Sequence, residues 1–162
     1  MKKIILALFL LNYNSSFCQT LPNFDEIKLE QASDYKTAET NAIQAATYIL
    51  TTPFEEKDLN RLNSLAFIIK WMSGTPDYTF TLDNVASKVT KGNDNLLGIY
   101  MACLTKYCLE NKESAKDEKV IKLNSIKMLL AYCEKPGNNI KLTKQLKKLS
   151  EANQKGELEK EF

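Results

Sequence analysis

The sequence contains no histidine among its 162 residues, and this absence excludes several classes of function. A Ser-His-Asp triad, a Cys-His pair, a histidine metal site and an imidazole proton shuttle all need that side chain. Glycine is also scarce, with five residues, and none forms the Gly-x-Gly pattern of a phosphate-binding loop. The common nucleophilic and nucleotide-binding motifs are therefore missing, and we predict no cofactor and no metal site.

Long apolar runs are missing too, so the sequence predicts no transmembrane segment. A shorter apolar run, Ile4–Leu11, follows Lys2 and Lys3, and polar and small residues lead from it to Cys18. This order is typical of a secretory signal peptide, for which we predict cleavage after Cys18 and a periplasmic or secreted protein. The expected domains are a signal peptide at 1–18, a helical domain at 19–150 and a polar, frayed tail at 151–162.

Charge is balanced over the predicted mature chain but unevenly distributed. Residues 19–111 carry 8 basic and 12 acidic side chains, whereas residues 112–162 carry 12 basic and 8 acidic ones. The predicted mature chain has no net charge, which argues against nucleic acid as a partner. Affinity for nucleic acid scales with the number of phosphates that the protein neutralises. The basic end is compatible with an acidic partner.

Apolar residues recur at intervals of three and four residues along the chain, which predicts five or six helices. The first helix starts at Ser33 or Asp34, and Pro53 ends it because proline disfavours helical geometry in the preceding residue. The expected helices cover 33–52, 58–72, 82–90, 94–110 and 117–134, with a sixth that carries Leu142, Leu146 and Leu149. Residues 75–84 are expected to form an extended connector.

These elements predict an all-α, compact single domain packed as antiparallel helical hairpins. Hairpins 33–72 and 94–135 have similar lengths, which suggests a tetratricopeptide-like pair, although neither carries the signature of that repeat. In the second helix the predicted inward face consists of Leu59, Leu62, Leu65 or Ala66, Ile69 and Met72.

Aromatic residues around the turn after the second helix are the candidate ligand-binding site. The segment from Lys70 to Phe80 holds the single tryptophan and a rigid Gly-x-Pro turn. Aromatic side chains beside a rigid turn suit a sugar or peptide platform, but they also suit the filling of a corner between helices. In either case we expect Trp71 to pack on Tyr78 or Phe80, and the candidate site comprises Trp71, Asp77, Tyr78 and Phe80.

Three further groups of residues have structural and functional interpretations. Cys103, Cys108 and Cys133 are expected to be buried and reduced, because helix geometry holds each pair beyond disulfide distance. Acidic residues before the second helix are either helix-capping groups or part of a glycosidase carboxylate pair. The lysines of the sixth helix form either a solvated face or a basic amphipathic helix, and they are Lys141, Lys144, Lys147 and Lys148.

Several segments resemble a group of uncharacterised small secreted helical proteins of Bacteroidota. The residues that carry this resemblance are FCQT at 17–20, DEIKLEQASDYKTAE at 25–39, AATYILTTPF at 45–54 and FIIKWMSGTPDYTF at 67–80. The resemblance implies a bacterial exported helical protein. It brings no activity and no catalytic residues with it.

The sequence thus favours an exported helical binding or protein-interaction domain, with an unidentified protein or glycan ligand and no catalytic residues. One alternative is a small carboxylate-based hydrolase of cell-wall glycan, which needs two acids converging in a cleft beside Trp71 or Tyr78. The other alternative is a helical inhibitor of a secreted enzyme. The oligomeric state does not follow from the sequence.

Overall fold

The computed structural model describes residues 20–82 and 84–162, so the predicted signal peptide at 1–18 lies outside the described residues. Within them the chain forms seven α-helices, two short 3-10 turns and no strand, as the all-α prediction expects. The helices are α1 (Ala32–Thr37), α2 (Glu39–Thr51), α3 (Leu59–Gly74), α4 (Asn84–Thr90), α5 (Asn95–Glu110), α6 (Glu118–Glu134) and α7 (Lys144–Gln154), and the 3-10 turns are Phe24–Glu26 and Leu158–Glu161. Residues 75–82 form neither helix nor strand, which agrees with the extended connector.

The first predicted helix is divided in the structure, and this accounts for the seventh helix. Ala38 ends α1 and starts α2, with φ −80° and ψ 0°. The carbonyl of Tyr35 accepts the indole N–H of Trp71 at 3.0 Å, which ties this break to α3. The helix also starts earlier than predicted, because the Asp34 carboxylate accepts the backbone N–H groups of Glu30 and Gln31 at 3.0 and 3.1 Å.

Packing is centred on α2 and α5. α2 packs against both α3 and α5, and α5 packs in turn against α6. The inner face of α2 carries the fully buried Ala42, Ala45 and Ala46, whose small side chains allow neighbouring helices to approach closely. Because α5 lies between several helices, it is buried around most of its circumference. The α2–α3 and α5–α6 pairs are the two predicted hairpins.

The predicted inward face of α3 is wrong in part. Leu59, Leu62 and Ile69 are 71%, 47% and 44% exposed and face outward, whereas Leu65 and Met72 are half-buried and pack against the core. The residues that α3 buries are Arg61, Ser64, Phe67, Ile68 and Trp71. The buried face of α3 includes an arginine and a serine. Apolar periodicity alone therefore predicts a face that is rotated around the helix axis relative to the buried one.

Two adjacent isoleucines test this orientation. We expect Ile68→Ala to lower the free energy of unfolding by about 2–5 kcal/mol, because the side chain is fully buried. Ile69→Ala, which makes the same chemical change on the outer face, should shift it by less than about 1 kcal/mol. Urea unfolding followed by circular dichroism measures both. A larger loss of stability from Ile69→Ala than from Ile68→Ala would instead support the inward face predicted from the sequence.

The C-terminal residues 151–162 differ from the expected frayed tail. α7 continues to Gln154, and the 3-10 turn that follows it buries Leu158, which is 2% exposed. Phe162 packs against the core, and Glu161 forms an ion pair with Lys148 of α7 at 2.5 Å. Two apolar side chains in a polar segment thus anchor this end of the chain. The mainly polar composition of residues 151–162 does not indicate this packing.

Cys103, Cys108 and Cys133 are buried and free, so the prediction of reduced thiols is confirmed in the structure. Burial raises the pKa of Cys108 to about 11 and that of Cys133 to about 12, which leaves both sulfurs as neutral thiols at physiological pH. Among the residues described, no helix has the length and apolar character needed to cross a membrane.

Candidate functional site

The aromatic residues at the end of α3 and in the connector form one cluster, as predicted. Trp71 is fully buried, and its ring centroid lies 5.7 Å from that of Tyr78 and 5.9 Å from that of Phe80. Gly74 allows the Tyr35 side chain to pack closely against the end of α3, because a Cβ atom on it would lie 2.1 Å from the Tyr35 hydroxyl oxygen. Trp71 therefore fills the corner between helices, which was one of the two roles considered for it.

A cavity of about 320 Å³ lies on the far side of this cluster, between the connector, α5 and α6. Asp77, Phe80 and two threonines of the connector form one wall, while Tyr100 and Leu104 of α5 form the floor. The opposite wall comes from the start of α6 and the turn before it, with Ala115, Lys116, Glu118, Ile121 and Lys122.

The structure divides the four predicted site residues into two pairs. Asp77 and Phe80 line the cavity, whereas Trp71 lies buried behind Phe80. Tyr78 is half-buried, and its hydroxyl donates to the Glu39 carboxylate at 3.3 Å. Burial is the main cause that raises the pKa of Tyr78 to about 12, and the charge of Glu39 adds to it.

Glu39 is the centre of an ionic network that sequence analysis did not find. Its carboxylate pairs with Lys36 at 3.1 Å and with Lys112 at 2.5 Å, and Lys36 also pairs with Asp77 at 3.4 Å. Burial alone would raise the pKa of Glu39, but hydrogen bonds and charges from Lys112 and Lys36 outweigh it and lower this pKa. The network joins α1, α2 and the turn before α6 to the cavity wall at Asp77.

We expect Glu39→Gln to lower the free energy of unfolding by about 1–3 kcal/mol at pH 7, because Lys112 loses its carboxylate partner and Lys36 keeps only Asp77. The folded-state pKa lies below the ordinary 4.5, so the ionised carboxylate stabilises the fold above that pH. Its contribution is lost as pH falls through the folded pKa, and the two proteins should then converge.

Chemical denaturation at pH 7, 5, 4 and 3 measures this difference. Glu113→Gln is the matched control, since Glu113 is exposed on the same turn as Lys112 and its loss should cost less than about 0.5 kcal/mol. A stability difference for Glu39→Gln that stays constant over the whole pH range would contradict the assigned ionic role.

The charged groups of the cavity suit recognition of a polar ligand. Asp77 is paired with Lys36 and its side chain is 47% exposed, while Glu118 lies 4.0 Å from Lys122 and is 66% exposed. A general acid of the glycosidase type instead needs an apolar environment that keeps the carboxyl group protonated. Over the described part of the chain, no group of three His, Cys, Asp or Glu residues is arranged to hold a metal ion.

The α6 side of this cavity gives no signal in the sequence. In the sequence Lys116 belongs to a charged turn and Glu118 to the start of the predicted helix 117–134, and only the return of α6 along α5 brings them opposite Phe80. Comparison with known proteins gives no match to a family model, to a curated protein or to a solved structure.

Proposed function

We propose that this chain is a non-enzymatic binding domain whose cavity between residues 77–81, α5 and α6 takes a small polar ligand, such as a glycan or peptide fragment. The observation that supports this proposal is the cavity itself. It combines an aromatic side chain, Phe80, with charged groups of both signs from two separate parts of the chain. Binding sites are commonly apolar hollows with a few polar groups at their edge.

The surroundings of Phe80 favour a preformed platform. Its ring lies 6.2 Å from Tyr78 and 5.9 Å from the buried Trp71, so neighbouring rings hold it in place. A rigid aromatic face provides contact area at low cost in side-chain entropy. A volume of about 320 Å³ is at the lower end of the range for ligand sites, which favours a disaccharide or a short peptide over a large cofactor.

Trp71 provides a direct test, because it is the only tryptophan and touches the ring that lines the cavity. We suggest titrating the protein with N,N′-diacetylchitobiose and with dialanine while following Trp71 fluorescence. The proposal expects a saturable change with at least one of these probes. The blocking variant is Ala115→Leu, which places a larger side chain on the cavity wall.

Ser114→Leu is the matched control, because Ser114 is adjacent in the turn but does not line the cavity. Binding should be lost in Ala115→Leu and kept in Ser114→Leu, with both variants folded by circular dichroism. No saturable response to either probe, or equal binding by both variants, would argue against the cavity as the site.

We also propose that the protein is a bacterial exported protein, which rests on the pattern of residues 1–18 and on the resemblance to secreted proteins of Bacteroidota. The expected result is a mature N-terminus at Gln19 or Thr20. Mass spectrometry of the protein from a soluble envelope fraction measures it. An intact form that still begins at Met1 in that fraction would contradict export through a cleaved signal peptide.

A further inference from the structure

An open groove of about 640 Å³ lies between α4 and α7, away from the cavity described above. Its charged lining consists of five lysines and one acid, namely Lys88, Lys91, Lys144, Lys147, Lys148 and Glu151. The three lysines of α7 belong to the set that the sequence left as either a solvated face or a basic amphipathic helix. In the structure they face two further lysines from the α4 side.

The two sides of this lysine groove are held together by specific hydrogen bonds. The Thr143 hydroxyl donates to the carbonyl of Val89 at 3.0 Å, and the Asn93 amide donates to the carbonyl of Lys141 at 3.3 Å. Val89 and Leu146 are fully buried on α4 and α7 respectively. These contacts hold the backbones that carry the lysines in place relative to each other.

Most of the positive charge in the lysine groove has no compensation from the protein. Lys148 pairs with Glu161 at 2.5 Å, and Glu151 is the one acid of the lining. Lys88, Lys91, Lys144 and Lys147 are exposed and make no ion pair with any residue that the structure describes. Grouping like charges in a concave site raises the local potential and concentrates anions there.

The first turn of α7 adds to this potential. The helix spans 11 residues and begins at Lys144, and its first turn contains no acid. A helix N-terminus carries partial positive charge, so a lysine there opposes the helix dipole, whereas a bound anion would be favoured by both. Lys144 at the start of α7 is therefore unfavourable for the helix alone, but a bound anion makes the same position favourable.

We propose that the lysine groove binds a ligand carrying several phosphate groups. Charges on two facing sides suit an anion whose own charges are spread over more than one group. The lining offers lysine ammonium groups, which bind phosphate as compact point charges. The start of α7 adds a helix N-terminus, a position at which phosphate groups commonly bind. Free polyphosphorylated compounds and lipid headgroups both carry this chemistry.

Sodium tripolyphosphate is the probe for the free ligand, titrated calorimetrically at 50 mM NaCl and again at 200 mM NaCl. The test variant is the triple substitution Lys88→Gln, Lys144→Gln and Lys147→Gln. Its matched control carries Lys57→Gln, Lys70→Gln and Lys135→Gln, which removes the same charge from exposed positions elsewhere. We expect affinity to fall about tenfold or more in the test variant and less than about threefold in the control. Higher salt should weaken binding of the wild type.

Vesicles distinguish the source of the phosphate groups. Co-sedimentation with phosphatidylcholine vesicles containing phosphatidic acid, reversed by tripolyphosphate and absent with phosphatidylcholine alone, would support a headgroup ligand. Tripolyphosphate binding without vesicle binding would support a free ligand. If neither probe binds the wild type, or if both triple variants weaken binding equally, the lysine groove is not a phosphate site. All six positions are exposed, so unchanged thermal unfolding is expected to show that both variants remain folded.

Discussion

Replacing Trp71 by alanine should lower the free energy of unfolding by about 3–5 kcal/mol. The side chain is fully buried, and its removal leaves a large cavity between α3 and the connector. It also leaves the Tyr35 carbonyl without its indole donor, at the point where α1 and α2 meet. The contacts with Tyr78 and Phe80 disappear at the same time, so the wall of the candidate ligand cavity should loosen.

Trp71→Phe separates these contributions, because phenylalanine keeps an aromatic ring in the corner but cannot donate to Tyr35. We expect it to recover more than half of the loss, as measured by guanidinium unfolding monitored at 222 nm. Wild-type stability for Trp71→Ala, combined with loss of ligand binding, would instead show that Trp71 serves the ligand and not the fold.

Arg61→Met should destabilise the protein by a similar amount, about 3–5 kcal/mol, because methionine fills much of the same volume but leaves several buried acceptors without their donor. Arg61 is 5% exposed, and its Nη2 donates to the Ile49 carbonyl and to the Tyr132 hydroxyl, both at 2.9 Å. The same nitrogen lies 3.2 and 3.3 Å from the carbonyls of Thr52 and Pro53. These acceptors would lose a charged donor inside the protein.

Among residues 20–82 and 84–162, no acid forms an ion pair with Arg61. The C-terminal carbonyls of α2 carry partial negative charge, and the guanidinium lies over the rings of Phe54 and Tyr132 at 5.3 and 5.8 Å. Arg61→Lys keeps the charge but lacks the planar, branched donor, so we expect it to recover only part of the stability. Equal stability of Arg61→Lys and the wild type would mean that charge alone matters at this position.

The same arginine explains where sequence reasoning failed in the fold. Apolar spacing located the helical segments, apart from the break at Ala38 that divides α1 from α2. α3 buries Arg61 and Ser64, and it leaves Leu62 and Ile69 exposed. A buried arginine is recognisable only through its partners, and Tyr132 is 71 residues away in sequence.

The candidate site was also predicted only in part, because local contacts were predicted and contacts between distant segments were not. The local contact between Trp71 and the two following aromatics is a consequence of a tight turn, so neighbouring residues were sufficient to predict it. The opposite wall at Lys116 and Glu118, and the pairing of Glu39 with Lys112, depend on how α6 returns along α5. Contacts between distant parts of the chain require the packed fold, and no short motif contains them.

Labelling of the three buried thiols can report local opening of the structure. A neutral sulfur inside the core does not react with iodoacetamide, since the thiolate is the nucleophile and the reagent has no access. Alkylation at Cys103, Cys108 or Cys133 therefore requires a transient opening of α5 or α6. When reclosing is faster than labelling, the rate at each sulfur reports the population of the open state that exposes it. Burial also keeps these thiols from disulfide exchange for as long as the protein stays folded.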